Sequence, residues 1–170
     1  MNAPSPMALS AVSAPSIERA LLGAATLLAA ALVWLAPRPP MVDLPQHAGQ
    51  VAIWRDMILG ASPFAGELRI NLATPYLVGY GLALPLAFLV PATDAIRIVL
   101  SAAILAFMLA GRALRREAGA DPRLDWLMLF GVTGFAWSWG FYTFIVAAPV
   151  LLIVLRLALR HARAPSASAA

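Results

Sequence analysis

The fold of this chain is decided by its one sizeable polar stretch, residues 38–71, which reads RPPMVDLPQHAGQVAIWRDMILGASPFAGELRIN. Two apolar segments flank it: ALLGAATLLAAALVWLAP (residues 20–37) comes before it, and LATPYLVGYGLALPLAFLVP (residues 72–91) follows it. Each segment is close to the ~20 residues that a helix needs to cross the ~30 Å hydrocarbon layer of a bilayer. The pattern predicts two membrane helices joined by a polar loop.

The composition predicts an integral membrane protein. Hydrophobic residues make up 62% of the chain and charged residues 12%, and the mean hydropathy is +0.83. Soluble domains are about 25% charged, and a soluble fold of 170 residues has too little interior to bury this much apolar surface. The absence of cysteine excludes disulfides and thiolate chemistry. All the basic charge is arginine beside apolar segments, where cations anchor helix ends, so we expect no nucleic-acid partner.

Three further membrane helices are predicted after residue 91. AIRIVLSAAILAFMLAG (residues 95–111) forms the third span, and a dense charge cluster (residues 112–123) follows it. The apolar stretch from 124 to 159 would be roughly 54 Å long as one helix, which is too long for a single crossing. Its glycines, beside Trp137 and Trp139, predict a turn near the membrane interface. We therefore expect two helices, at residues 124–138 and 141–159.

The predicted fold is thus an all-α, polytopic membrane helix bundle of about five transmembrane helices, with four as the alternative count. The first apolar run is longer than a signal-peptide core, so it is expected to be retained as a helix. The transmembrane domain covers residues 18–159. Ala/Ser-rich tails at residues 1–17 and 160–170 are predicted to be disordered.

The polar loop is predicted to contain one amphipathic helix, at residues 45–60. Asp43 can accept hydrogen bonds from the first-turn N–H groups, and Pro45 fits a first turn. At 100° per residue, one polar stripe contains Asp43, His47, Gln50 and Trp54. The opposite stripe is mainly apolar: Ala48, Val51, Ala52, Ile58 and Leu59. Such a helix typically lies in the membrane interface.

Asp43 and His47 are the residues of this helix with the clearest chemical potential. A carboxylate four residues from a histidine can orient the imidazole, tune its pKa or share a metal ion with it. A divalent metal ion is the candidate cofactor, but two ligands do not complete a site; Asp56 and Glu67 are candidates for the others. The alternative roles are structural, with Asp43 as a helix cap and His47 as a solvated interfacial side chain.

Four short motifs resemble the N-terminal part of the C-type membrane glycosyltransferases. They are Val42-Asp-Leu-Pro-Gln-His47 after the first span, Thr74-Pro-Tyr76 at the start of the second, Pro91-Ala-Thr-Asp-Ala-Ile-Arg97 at the start of the third, and Trp139-Gly-Phe-Tyr-Thr-Phe144 with Ala147-Ala-Pro149. The last motif is similar to an element of uncharacterised bacterial proteins of this type. The resemblance covers roughly residues 20–159 and implies a multi-pass protein of the bacterial inner membrane.

The resemblance implies a function as well. Members of this superfamily transfer a sugar from a polyprenyl-phosphate carrier on the non-cytoplasmic side. Asp43 inherits the role of general base or metal-site carboxylate, with His47 as a second catalytic candidate. Gln50, Arg55 and Arg69 are the candidate substrate-binding residues, the arginines for the phosphate. Members usually have eight or more spans, so the resemblance implies an N-terminal half that is incomplete or inactive alone. The alternative is a small non-enzymatic membrane subunit or scaffold that packs against a larger membrane partner.

The orientation of the polar loop stays open at the level of sequence. Five spans place residues 38–71, residues 112–123 and the C-terminal tail on one side, and the arginine count would make that side cytoplasmic. The resemblance implies that the loop lies on the other side, because the carrier-linked sugar is used there. A re-entrant second segment, favoured by Pro75, Pro85 and Pro91, would reverse the parity.

Overall fold

The computed structural model of this protein describes residues 14–35, 37, 39, 41–74 and 76–163, and every regular element in this part of the chain is a helix. The helices are α1 (Ala14–Leu35), α2 (Leu44–Ile58), α3 (Leu77–Ala87), α4 (Ala92–Ala118), α5 (Leu127–Val132), α6 (Phe135–Trp139) and α7 (Tyr142–Arg163), with a 3-10 turn at Pro122–Trp126. The all-helical prediction is therefore confirmed for the described residues. Residues 14–17 and 160–163, which were predicted to belong to disordered tails, are helical, because α1 begins at Ala14 and α7 continues to Arg163. The rest of the two predicted tails, residues 1–13 and 164–170, lies outside the described residues.

Three helices are long and apolar enough to cross a membrane: Ser16–Leu35 within α1, all of α4, and all of α7. The predicted second span contains a shorter apolar helix, the 11-residue α3, which has Pro85 inside it. The predicted helix at residues 124–138 is not continuous. It consists of the 3-10 turn, α5 and α6, because Gly134 adopts an extended conformation (φ −80°, ψ −161°) that ends regular helical bonding.

Helices α1 and α4 run in opposite directions. Near the end of α1, the Trp34 indole donates a hydrogen bond to Ser101 Oγ (3.0 Å), and Ser101 donates to the Ala30 carbonyl (3.1 Å). Near the start of α1, Glu18 accepts a hydrogen bond from the Trp126 indole (3.2 Å), just after the end of α4. At the same end, Arg97 pairs with Asp94 (3.3 Å) and also donates to the Pro37 carbonyl after α1.

Helices α4 and α7 run in the same direction. Glu117, near the end of α4, pairs with Arg156 (3.3 Å) and lies 3.9 Å from Arg160, near the end of α7. The segment between the two helices must therefore return along the bundle. It packs against α4 on the way, since Gly111 contacts Met128, and its far end reaches the start of α2.

These directions give the bundle two chemically different ends. The cavity end contains α2, the start of α4 and the start of α7. The arginine end contains the start of α1 and the ends of α4 and α7. Helix α4 lies at the centre, and the most deeply buried large side chains include Val33, Ile96, Leu100 and Ile104. The outer face of α7 is exposed and apolar along Val150, Leu151, Ile153, Val154, Leu155 and Leu157.

Candidate functional site

A cavity of about 900 Å³ lies at the cavity end, between α2, the segment after it, the start of α3 and the start of α7. This volume is within the range of small-molecule sites, roughly 300–1,000 Å³. Its walls are both polar and aromatic, and the residues that line it are Asp43, Gln46, His47, Gln50, Ile53, Trp54, Met57, Leu68, Arg69, Ile70, Asn71, Thr74, Tyr76, Leu77, Tyr80, Phe141, Thr143 and Phe144.

The polar stripe predicted for α2 is confirmed as one wall of this cavity. Asp43, His47, Gln50 and Trp54 all line it. Leu44, Ala48 and Val51 are buried on the side of α2 that packs against the bundle. The local helical period, with residues three and four apart on one face, accounts for this division. It fails at the end of the helix, where Ile58 and Leu59 of the predicted apolar stripe are 53% and 60% exposed.

The expected capping role of Asp43 is wrong, because its side chain makes no capping hydrogen bond to α2. Backbone contacts fix the start of this helix instead. The Asp43 N–H donates to the Trp139 carbonyl (3.0 Å), and the Val42 N–H donates to the Ser138 carbonyl (3.3 Å). Free carbonyls at the end of α6 thus satisfy donors before α2, and the Asp43 carboxylate is used to line the cavity rather than to cap.

Gly140 makes this close approach between α2 and the α6–α7 turn possible. Its φ is +75°, in the left-handed region that glycine occupies without steric cost. A Cβ at this position would stand 3.0 Å from the backbone nitrogens of both Asp43 and Leu44. Those atoms belong to the backbone and cannot rotate away, so the position of Asp43 depends on this glycine.

The His47 imidazole is held by aromatic residues of α3 and α7. Its Nδ1 lies 2.7 Å from the Tyr80 hydroxyl, and its ring centroid lies 5.7 Å from that of Tyr80 and 5.6 Å from that of Tyr142. The Tyr142 hydroxyl in turn donates to the Gly79 carbonyl (2.7 Å). The sequence analysis did not identify Tyr80 and Tyr142 as partners of His47. Two features could have indicated them: Tyr142 belongs to the fourth motif, close to Gly140, and Tyr80 lies one helical turn after Tyr76.

Burial lowers the pKa of His47 below its usual 6.5. The negative charge of Asp43 and a hydrogen bond to the Gly140 backbone act in the opposite direction, but burial has the larger effect. The imidazole is therefore neutral at pH 7. One ring nitrogen of His47 contacts the Tyr80 hydroxyl, and the Gly140 backbone also interacts with the ring. We therefore interpret His47 as a side chain that positions the wall of the cavity.

The two arginines predicted to bind substrate lie in different places. Arg69 lines the cavity from the segment after α2 and is exposed. Arg55 lies outside the cavity: it pairs with Asp56 (2.7 Å) and donates to the Ala87 carbonyl (3.3 Å). Arg55 comes five residues after Gln50, and at about 100° per residue this places it roughly 140° around the helix from Gln50. Arg55 therefore lies well away from the polar stripe.

The residues of the cavity do not fit a resident divalent metal ion. Within the described ranges, no group of three or more His, Asp and Glu side chains is arranged to hold a metal. Asp56, a candidate third ligand, is paired with Arg55, and neither Asp56 nor Glu67 lines the cavity. Asp43 and an imidazole already bonded to Tyr80 are too few ligands for Ca²⁺ or Mg²⁺.

Comparison with known proteins finds no matching family model, no matching curated protein and no matching solved structure. The interpretation of the cavity therefore depends on its own geometry and on the four motifs quoted above.

Proposed function

We propose that this chain is a multi-pass membrane protein of the bacterial inner membrane that crosses the bilayer four times. The crossings are α1, α4, the returning segment at residues 122–139, and α7. Two observations support four crossings over five: α1 and α4 run in opposite directions, so the chain between them does not cross the bilayer, and α3 is only about 16 Å long. Helix α3 then enters the membrane from the cavity end without crossing it.

Four crossings place the polar loop and the charge cluster on opposite sides. Eight of the twelve arginines belong to the arginine end: Arg19, Arg112, Arg115, Arg116, Arg123, Arg156, Arg160 and Arg163. The positive-inside rule makes that end cytoplasmic. The cavity then opens on the non-cytoplasmic side. This arrangement removes the conflict between the arginine count and the side on which carrier-linked sugars are used.

The cavity, in this proposal, binds a polyprenyl-phosphate sugar. The observation that carries the proposal is that three motifs distant in sequence contribute to one cavity. The first contributes Asp43 and His47, the second Thr74 and Tyr76, and the fourth Phe141, Thr143 and Phe144. Arg69 is suited to the phosphate. Gln50 and Asn71 supply amides for sugar hydroxyls. Phe144, which is 71% exposed, offers apolar surface at the membrane side for the isoprenoid chain.

The proposed chemistry is glycosyl transfer with Asp43 as general base. Asp43 accepts the proton of an acceptor hydroxyl as its oxygen attacks the anomeric carbon of the sugar. The bond from that carbon to the phosphate oxygen breaks, and polyprenyl phosphate leaves with the electron pair. Arg69 stabilises the charge on the departing phosphate. His47 and Tyr80 hold the wall that carries Asp43 and act through it.

The alternative, a non-enzymatic subunit that packs against a larger membrane partner, is supported by α7. Only Tyr142, Val146 and Pro149 of this helix are buried, and its outer face is apolar over two turns. Lipid and a partner helix are equally able to cover such a face.

The membrane topology is tested with single cysteines, since the chain has no native cysteine. Gln50→Cys reports the cavity end and Ala118→Cys reports the arginine end; both positions are exposed. Four crossings predict that a membrane-impermeant maleimide labels position 50 in intact cells and position 118 only after lysis. Five crossings predict the same accessibility at both positions, which would refute the proposed topology.

The binding proposal is tested in detergent with a single cysteine at Gln46, which lines the cavity, is exposed and is not one of the proposed ligands. Polyprenyl-phosphate sugar should slow maleimide labelling at position 46, and polyprenol without phosphate should not. Arg69→Gln should weaken this protection, with Arg123→Gln as the matched control at the other end.

In cells that express the complete system, Asp43→Asn should abolish transfer while protection persists, because the amide keeps its size but cannot act as a base. Protection without any transfer in the unmodified protein would favour the subunit alternative.

A further inference from the structure

A second cavity, of about 410 Å³, lies between α4 and α7 at the arginine end. It is lined by Ala113, Arg116, Glu117 and Arg156. The first cavity and the proposed transfer reaction involve none of these residues. Its walls come from the last turns of two helices that the proposed topology brings to the membrane surface.

The charge around this cavity is strongly positive. The Glu117 carboxylate pairs with Arg156 (3.3 Å) and lies 3.9 Å from Arg160, while Arg163 donates to the Glu117 backbone carbonyl. Arg116 is exposed and has no ion pair within the described part of the chain. One carboxylate thus stands among four arginines, and the excess charge is available to an anion.

The excess positive charge is confined to this cavity, because the neighbouring arginines are paired elsewhere. Arg115 makes a two-pronged contact with Asp125 (2.8 and 2.9 Å), and Arg112 lies 3.4 Å from the same carboxylate. Asp125 is buried and lies outside the cavity. Arg112 and Arg115 are therefore committed to an internal contact, whereas Arg116 and Arg156 face the open space.

The surface next to the cavity is apolar. Ile153, about one turn before Arg156 on α7, is 47% exposed, and Leu109, about one turn before Ala113 on α4, is 66% exposed. A molecule with a phosphate head and hydrocarbon tails matches both features, because the arginines supply charge-assisted hydrogen bonds and the helix face supplies apolar contact. Inorganic phosphate could bind the arginines in the same way, but it has no hydrocarbon tail to contact the apolar surface.

We propose that this cavity binds the phosphate headgroup of an anionic phospholipid, whose acyl chains lie against Leu109 of α4 and Ile153 of α7. The proposal is independent of the activity assigned to the first cavity. It predicts a bound lipid at one defined place, in addition to the diffuse attraction that any arginine-rich surface has for anionic lipids.

Native mass spectrometry of the full chain in detergent tests this proposal, with phosphatidylglycerol and phosphatidylcholine as the probes. We expect phosphatidylglycerol to bind in preference to phosphatidylcholine. Arg116→Gln should weaken its binding about tenfold, as expected for the loss of one hydrogen bond between charged groups. The matched control is Arg123→Gln, which removes an exposed arginine at the same end but outside the cavity. It should change the binding by less than twofold.

Three results would overturn the proposal. Equal losses in the two variants would mean that only diffuse charge attraction operates. Equal binding of the two lipids would mean that the phosphate headgroup is not selected by charge. Displacement of the lipid by millimolar inorganic phosphate would identify a free-anion site without an acyl-chain contribution from Leu109 and Ile153. A far-ultraviolet circular dichroism spectrum of Arg116→Gln establishes that the variant is folded.

Discussion

Asp125 and Asp43, carboxylates at opposite ends of the bundle, are used in different ways. Asp125, at the arginine end, is 3% exposed and accepts hydrogen bonds from Arg115 through both oxygens. At the cavity end Asp43 lines a cavity, and the neighbouring side chains that organise its wall are aromatic. The comparison separates charge that stabilises helix packing from charge that faces a binding site.

The largest effect is expected from Asp125→Asn. Arg115 and Arg112 would lose the carboxylate that compensates their charge, and breaking a buried pair from one side costs about 3–5 kcal/mol. The measurement is the free energy of unfolding in detergent. The matched control, Glu67→Gln, changes an exposed carboxylate at the cavity end and should have little effect. Equal effects would remove the distinction between the two ends.

Gly140→Ala should be next in size. A left-handed conformation costs an alanine roughly 1–2 kcal/mol, and its Cβ would also press on the backbone nitrogens of Asp43 and Leu44. The control is Gly119→Ala, which has a similar φ of +70° at the arginine end but open space around the Cβ. Thermal unfolding should show the larger loss for Gly140→Ala. Labelling at Gln50→Cys should show that only Gly140→Ala disturbs the cavity.

Tyr80→Phe should cost about 1 kcal/mol, the usual net value of a hydrogen bond, because the His47 imidazole loses its hydroxyl partner. Tyr76→Phe changes another tyrosine of the same cavity, one that is exposed, and serves as the control. Nuclear magnetic resonance of the His47 side chain should show a shift for Tyr80→Phe alone. An unchanged His47 signal would contradict the positioning role of this pair.

The smallest effect concerns pH. Because burial lowers the pKa of His47 in the folded protein, the unfolded chain binds a proton more readily once the pH falls to about 6.5. The contribution of His47 to stability should therefore be constant above that pH and become unfavourable below it, until the folded form is also protonated. His47→Gln should reduce the loss in acid, while His161→Gln, which changes an exposed histidine at the arginine end, should leave it unchanged.

Some features of this protein follow from local sequence patterns alone. The apolar segment before residue 38 predicts a long helix because helix length scales directly with residue number, and α1 has 22 residues. The same reasoning fails for residues 72–91, where helix α3 has only 11 residues. The 100° period places Asp43, His47, Gln50 and Trp54 on one stripe, and these four residues line the cavity. The same period separates Arg55 from them, so its exclusion could also have been predicted. The break at Gly134 could not, because glycine permits an extended conformation but does not require one.

Tertiary structure decided the rest. Tyr80 and Tyr142 reach His47 only because α3 and α7 pack beside α2, at separations of 33 residues and more in sequence. Likewise, the common direction of α4 and α7 follows from contacts between the C-terminal parts of the two helices, such as Glu117 with Arg156, which are 39 residues apart in sequence. Hydropathy measures how apolar each segment is and carries no information on which segments pack together. Sequence therefore determined the three long helices and the polar stripe of α2, while packing determined which residues meet across the cavity and which end of the bundle holds the arginines.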